Sequence, residues 1–166
     1  MAPMRLQPES ETGMIVIGID PGLHGAVATF DGDRLLTVVD MPVLAGEVDT
    51  RELASIIRSE HDTTAVLEWP GIMPRNGAKS ARSIGFQLGQ IITVLAYENV
   101  PCHQYAPGVW KRGLNLNGDK AASRKMAMRL WPCHAGQFQR VKDDGRAEAA
   151  LIAHWWMTKG RGHAQP

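Results

Sequence analysis

The sequence predicts an α/β domain, and three observations carry that prediction. The first is an apolar, β-branched run from Met14 to Ile19 that ends on Asp20 and turns at Pro21-Gly22. A strand of that density is one buried on both faces. The second is a repeat of the same pattern, since Thr64-Ala65-Val66-Leu67 runs directly into Glu68. The third is the alternation of such runs with stretches of helical period, most clearly Ile84, Leu88, Ile91, Ile92 and Leu95.

Taken in order, Ala26 to Phe30 and Leu35 to Val39 join at Asp31-Gly32 and make a three-stranded meander with the first strand. Asp49 or Thr50, followed by Glu52, starts an amphipathic helix with Leu53, Ile56 and Ile57 on one face, which crosses back over the sheet to the strand ending at Glu68. The loop from Gly71 to Lys79 is rich in Gly, Pro and Asn. Its Asn76-Gly77-Ala78-Lys79-Ser80 lacks the adjacent Gly-Lys and the earlier glycine of a phosphate-binding loop, so no nucleoside triphosphate is expected as a partner. A long helix follows from Ser80 to Asn99, then a fifth strand from Cys102 to Tyr105 leading into Val109-Trp110-Lys111. The next helix opens at Gly118-Asp119. Its period turns Ala121, Ala122, Met126 and Leu130 inward and presents Lys120, Arg124, Lys125 and Arg129 as a basic stripe, with a positive helix N-terminus adding to the attraction for phosphate. A last helix begins near Asp144, with Ala147, Ala150, Leu151 and Trp155 toward the sheet, His154 as a packed residue and Trp156 in the core or an interface.

A chain of 166 residues suits one domain. We expect a short disordered leader over 1–13, a single domain over 14–160 and a tail over 161–166. No apolar run approaches the ~18–20 residues of a membrane span, which argues against a membrane partner. Cys102 and Cys133 each precede a histidine, but without a paired Cys-x-x-Cys knuckle they read as reduced thiols of a cytoplasmic protein and not as zinc ligands.

The net charge of +1 conceals a segregation. Residues 1–68 hold four basic residues against twelve acids, whereas residues 69–142 hold eleven basic residues against Glu98 and Asp119. A basic middle facing an acid-bearing front fits an enzyme acting on nucleic acid.

The acids themselves carry the chemistry. Asp20 alone is equally well read as a turn cap. Two buried-type strands that each end on a carboxylate are harder to explain as two independent caps, because burying an unpaired carboxylate is costly. Paired acids at neighbouring strand ends suggest a metal site. The last helix adds Asp143, Asp144 and Glu148. Asp144 and Glu148 are four apart, which places them on one helix face at about 5–6 Å between Cβ atoms. The helix dipole accounts for acids at 143 and 144 but not for Glu148 on an otherwise apolar face. Hard oxygen ligands without a thiolate or histidine cluster suit Mg²⁺ or Mn²⁺. Asp20, the most central acid, is placed to hold such an ion with Glu68, and Asp144 and Glu148 complete a site suited to an in-line displacement at phosphorus.

In this order the motifs resemble the RuvC-type Holliday-junction resolvases of the ribonuclease H-like superfamily. The resemblance runs from about Met14 to Trp156 and rests on Gly18-Ile19-Asp20-Pro21-Gly22, Glu68, Leu88-Gly89-Gln90, Tyr105-Ala106, Val109-Trp110-Lys111 and the acidic last helix. Asp144-Gly145-Arg146-Ala147-Glu148 is similar to the phage and chloroplast branch; the bacterial housekeeping enzymes usually carry two aspartates three apart there. The resemblance implies a mixed five-stranded sheet flanked by helices, a homodimer, paired magnesium or manganese ions and a four-way DNA junction as substrate. It also makes Asp20, Glu68, Asp144 and Glu148 the catalytic, metal-binding acids, with Asp143 auxiliary. Lys111 and Lys120 are expected beside the scissile phosphate, Arg75, Lys79 and Arg82 on the flanking strands, and Arg124 on a further phosphate. The helix from Ser80 to Asn99, with Phe86, Val94 and Tyr97 widening its apolar face, is the expected dimer surface. A ribonuclease acting on RNA/DNA hybrid and a catalytically weak junction-binding protein are the alternatives.

Overall fold

The computed structural model describes residues 13–58, 62–71 and 77–162. All of the expected leader but Gly13, the end of the tail and the expected DNA contact Arg75 therefore lie outside the described residues.

The meander forms as β1 (Ile15–Asp20), β2 (Ala26–Asp31) and β3 (Arg34–Asp40). A small hairpin of β4 (Val43–Leu44) and β5 (Glu47–Val48) comes next. It was not expected, because its turn uses Ala45 at φ 53° and Gly46 at φ 81° where a sequence signal would need Asn-Gly or Asp-Gly. Helix α1 (Thr50–Ile57) is capped by Asp49, whose carboxylate accepts from the backbone N–H groups of Arg51 and Glu52, both at 3.1 Å. Then come β6 (Thr63–Glu68), α2 (Ala78–Tyr97), β7 (Cys102–Tyr105), α3 (Pro107–Gly113), α4 (Lys120–Leu130) and, after two short 3₁₀ turns, α5 (Asp144–Trp155). A five-residue π-turn, Trp156–Gly160, follows it.

The five long strands form one mixed sheet in the order β3-β2-β1-β6-β7. β1 is antiparallel to β2 and parallel to β6, and β6 is parallel to β7. The acid-bearing ends of β1 and β6 therefore lie side by side. Strand parity does the rest, because alternate side chains point to opposite faces. Ile15, Ile17 and Ile19 of β1, with Ala65 and Leu67 of β6, pack against α1 and α2 through Leu53, Ile57, Leu88, Ile91 and Leu95. Val16 and Val66 pack on the other face against α5. Asp20 and Glu68 share the parity of Val16 and Val66, so both acids face α5.

Helix α5 is buried almost all round, and small residues let it sit close to the sheet. A Cβ on Gly18 would meet the Ala149 carbonyl oxygen at 2.0 Å and the Ala153 Cβ at 2.9 Å. A Cβ on Gly145 would meet the His24 carbonyl oxygen at 2.7 Å and Asp20 Oδ2 at 3.0 Å. These two glycines set how near the helix comes to Asp20.

Helix α4 differs from expectation in its facing. Ser123 and Ala127 are its buried positions, and Leu130 is exposed at the helix's last residue. Arg124, expected outward, is turned inward to α5 with 14% of its side chain exposed, while Lys120 keeps 69%. The charge waiting on α5 overrides the helix's own periodicity.

Candidate metal centre

Asp20 ends β1, Glu68 ends β6 and Glu148 lies one turn into α5. Each offers a carboxylate oxygen, and these three oxygens lie within 4.8 Å of one another. Among the described residues this is the one cluster of three or more acids, histidines or cysteines close enough to share an ion. Its surroundings penalise the charge it carries. Burial raises the Asp20 carboxyl well above the ordinary range, and the neighbouring Glu68 and Glu148 carboxylates push it the same way. Burial also raises Glu68, against the pull of Lys111.

Two residues of α3 hold the cluster from one side. The Trp110 indole Nε1–H donates to Glu68 Oε2 at 2.9 Å, and the Lys111 ammonium donates to Glu148 Oε1 at 2.8 Å. Opposite them the acids open into a cleft walled by the β1–β2 turn with His24, by Asp40, and by Lys120, Lys142, Asp144 and Gly145.

The acids of the last helix separate into three fates. Glu148 joins the cluster. Asp144 lines the same cleft, but its carboxylate is answered by Arg124, which donates to Oδ1, and by Lys120 at 3.3 Å from Oδ2. Asp143, expected as an auxiliary acid, faces Arg140 instead. It accepts from the Arg140 backbone N–H and from the guanidinium, each at 2.8 Å, and is almost fully buried. Burial alone would raise its carboxyl, yet those hydrogen bonds bring it below the usual range. It shapes the entry to α5 and does not line the cleft.

Of the expected DNA contacts, Lys120 lines the cleft, whereas Lys111 lies on the far side of the acids, bonded to Glu148. Lys79 and Arg82 are exposed on the first turns of α2 and border a second groove with Glu47, Ser83 and Gln87. That groove adjoins the first, since Gln87 Oε1 lies 3.7 Å from where a Cβ on Gly22 would sit.

Sequence reasoning missed Asp40, Lys142, His24 and Trp110. Asp40 had a visible signal, because Val38-Val39-Asp40 is a third apolar strand running into an acid. Its carboxylate is held by Arg146 at 2.6 and 2.9 Å, and that hydrogen bond keeps it below its ordinary range. Trp110 stood within the Val109-Trp110-Lys111 motif, but nothing in the sequence pairs its indole with Glu68.

No family model and no curated relative matches the sequence. Solved structures do match its fold. One is T. thermophilus RuvC in complex with a Holliday junction substrate, at 20% identity and a TM-score of 0.58, with 92% of this chain and 99% of that chain covered. Another is a Thermus thermophilus RuvC structure at 21% identity and a TM-score of 0.57, with the same coverage of each chain. The expected mixed five-stranded sheet flanked by helices is thus the observed fold, and it is the fold of RuvC.

Proposed function

We propose that this protein is a structure-selective, metal-dependent endonuclease that resolves four-way DNA junctions by paired symmetric nicks. The observation that carries the reading is the buried triad of Asp20, Glu68 and Glu148 at adjacent strand ends, within 4.8 Å, on a RuvC fold. The fit to a divalent ion rests on the donor set. Three crowded carboxylates, two of them pushed toward protonation by burial and by each other and only partly offset by Lys111 and Lys120, are the kind of donor set that a hard dication relieves. Mg²⁺ or Mn²⁺ held there supplies activation of a water and balance for the charge that develops on a phosphodiester.

Asp20, Glu68 and Glu148 hold the ions, and Asp144 supports them from the cleft wall, where Arg124 and Lys120 pair with it. Lys120, most of whose side chain is exposed although its ammonium lies 3.3 Å from Asp144 Oδ2, can reach a phosphate over the cleft. Lys111, behind the acids, steadies Glu148 and contributes positive charge beside the reacting phosphate. Lys79 and Arg82 lie along the adjoining groove, where a flanking strand leaving the cleft meets them.

Symmetric resolution needs two such sites on one junction, hence a two-fold dimer. Leu88, Ile91, Val94 and Leu95 of α2 are spent on the core, whereas Phe86 and Tyr97 remain 54% and 78% exposed beside an apolar groove between α1 and α2. That face is the proposed contact between copies.

The deciding experiment sets a synthetic four-way junction beside an RNA/DNA hybrid, with and without Mg²⁺. We expect Mg²⁺-dependent, paired nicks on strands of like polarity in the junction, leaving ligatable ends, and a protein that sediments as a dimer without DNA. Preference for the hybrid, or single unpaired nicks from a monomer, overturns the reading.

A further inference from the structure

Glu68 and Glu148 stand on different elements, yet consecutive residues of α3 grip them both. The pairing of β6 with β7 explains how. Glu68 lies beside Tyr105 in the sheet, and α3 opens two residues later at Pro107, so its first turn passes the end of β6. Trp110 is fully buried there and donates its indole N–H to Glu68 Oε2. Lys111 reaches Glu148, and its ammonium lies 5.0 Å from the centroid of the Trp110 ring.

The two donors act differently on a site built for a cation. An ammonium brings positive charge, so it competes with a metal ion for the same carboxylate. An indole N–H is a donor only, and the ring carries no charge. It can hold one oxygen of Glu68 permanently and still leave the carboxylate's charge and its other oxygen to an ion. Hydrogen bonds of this kind orient ligating carboxylates and are worth about 10–100-fold in metal affinity. The core needs only the volume of the Trp110 ring; the N–H serves Glu68.

We propose that Trp110 is a positioning residue for the metal site, its indole N–H fixing the rotation of the Glu68 carboxylate so that Glu68 meets an ion together with Asp20 and Glu148. This rests on the metal-dependent reading above. The test is a calorimetric titration of Mn²⁺ into the wild-type protein, into Trp110→Phe, and into protein carrying benzothienylalanine at position 110, which keeps the bicyclic shape and puts sulfur in place of N–H. The expected result is a benzothienyl protein that still folds without metal, and an Mn²⁺ affinity about 10–100-fold weaker in both variants. In the wild type, the Trp110 indole ¹⁵N–¹H resonance, identified among the five tryptophans by its loss in Trp110→Phe, should shift during a Mg²⁺ titration with the calorimetric midpoint. A benzothienyl protein that binds Mn²⁺ within about twofold of wild type overturns the positioning role alone. Wild-type protein that binds no Mn²⁺ overturns the metal-site reading, and the role with it.

Discussion

On β1 and β6 the acid that matters is the one at which an apolar strand stops, whereas on α5 three acids compete for the role and their tertiary partners separate them. Asp20 and Glu68 have no rivals within their strands, and parity alone turns them to the same face. Asp143, Asp144 and Glu148 sit within six residues at one helix end, and what distinguishes them is Arg140, Arg124 with Lys120, and Lys111 respectively. A strand end therefore assigns a carboxylate by geometry. A helix end assigns it by which cations arrive.

The sharpest way to break that contrast is substitution. Asp20→Asn should lower junction cleavage by about 10³-fold and leave junction binding intact. Glu148→Gln should come close to it. Asp144→Asn should cost nearer to 10-fold, about what a supporting contact is worth. Asp143→Asn should leave Mn²⁺ binding unchanged while removing about 1–3 kcal/mol of stability through its buried bonds to Arg140, read in urea. Equal loss of Mn²⁺ binding at 144 and 148 would show that Asp144 abandons Arg124 to become a full ligand.

The second expected effect is on stability against pH in metal-free protein. Asp20 and Glu68 have folded-state carboxyls raised above their unfolded values. The stability they contribute is present below the ordinary carboxylate range and is lost as pH rises through their raised values. Metal-free protein should thus melt higher near pH 5 than near pH 8, and Mg²⁺ or Mn²⁺ should recover the loss at the higher pH. A melting temperature that is unchanged by Mn²⁺ at both pH values would sink the cluster as a metal site.

The smallest effect concerns the cations. Lys120→Ala should reduce the salt dependence of junction affinity by about one unit of slope, as expected for one phosphate contact. Arg124→Ala should change the slope less and lower the melting temperature, because its guanidinium is committed to Asp144 and the Val141 carbonyl. The reverse ranking would return Arg124 to the DNA surface.

Much of this molecule was legible from its sequence. Strand ends at Asp20 and Glu68, the cap at Asp119 and the helical period of α2 are local signals, and each sits within a residue or two of its expected place. Asp40 was a local signal passed over, and the Ala45-Gly46 hairpin is local but lacks the usual turn residues; the rest of what escaped was decided by partners distant in sequence. The inward turn of Arg124 depends on Asp144, twenty residues away, and the role of Trp110 depends on Glu68, forty-two residues away. Helical period reports which face is apolar; it does not report which charge waits across the interface.

The contact of Gly18 with Ala149 and Ala153 reaches further than packing. The depth to which α5 sinks onto β1 sets the aperture between Glu148 and the two strand-end acids, and an aperture of fixed width discriminates among ions by radius. If the three acids hold an ion as proposed, residues with no charge and almost no side chain would act as the gauge of the site. A methyl group at position 18 would lift the helix, widen the aperture and move the preference from the smaller dications toward a larger one such as Ca²⁺, which accepts longer bonds and a looser shell.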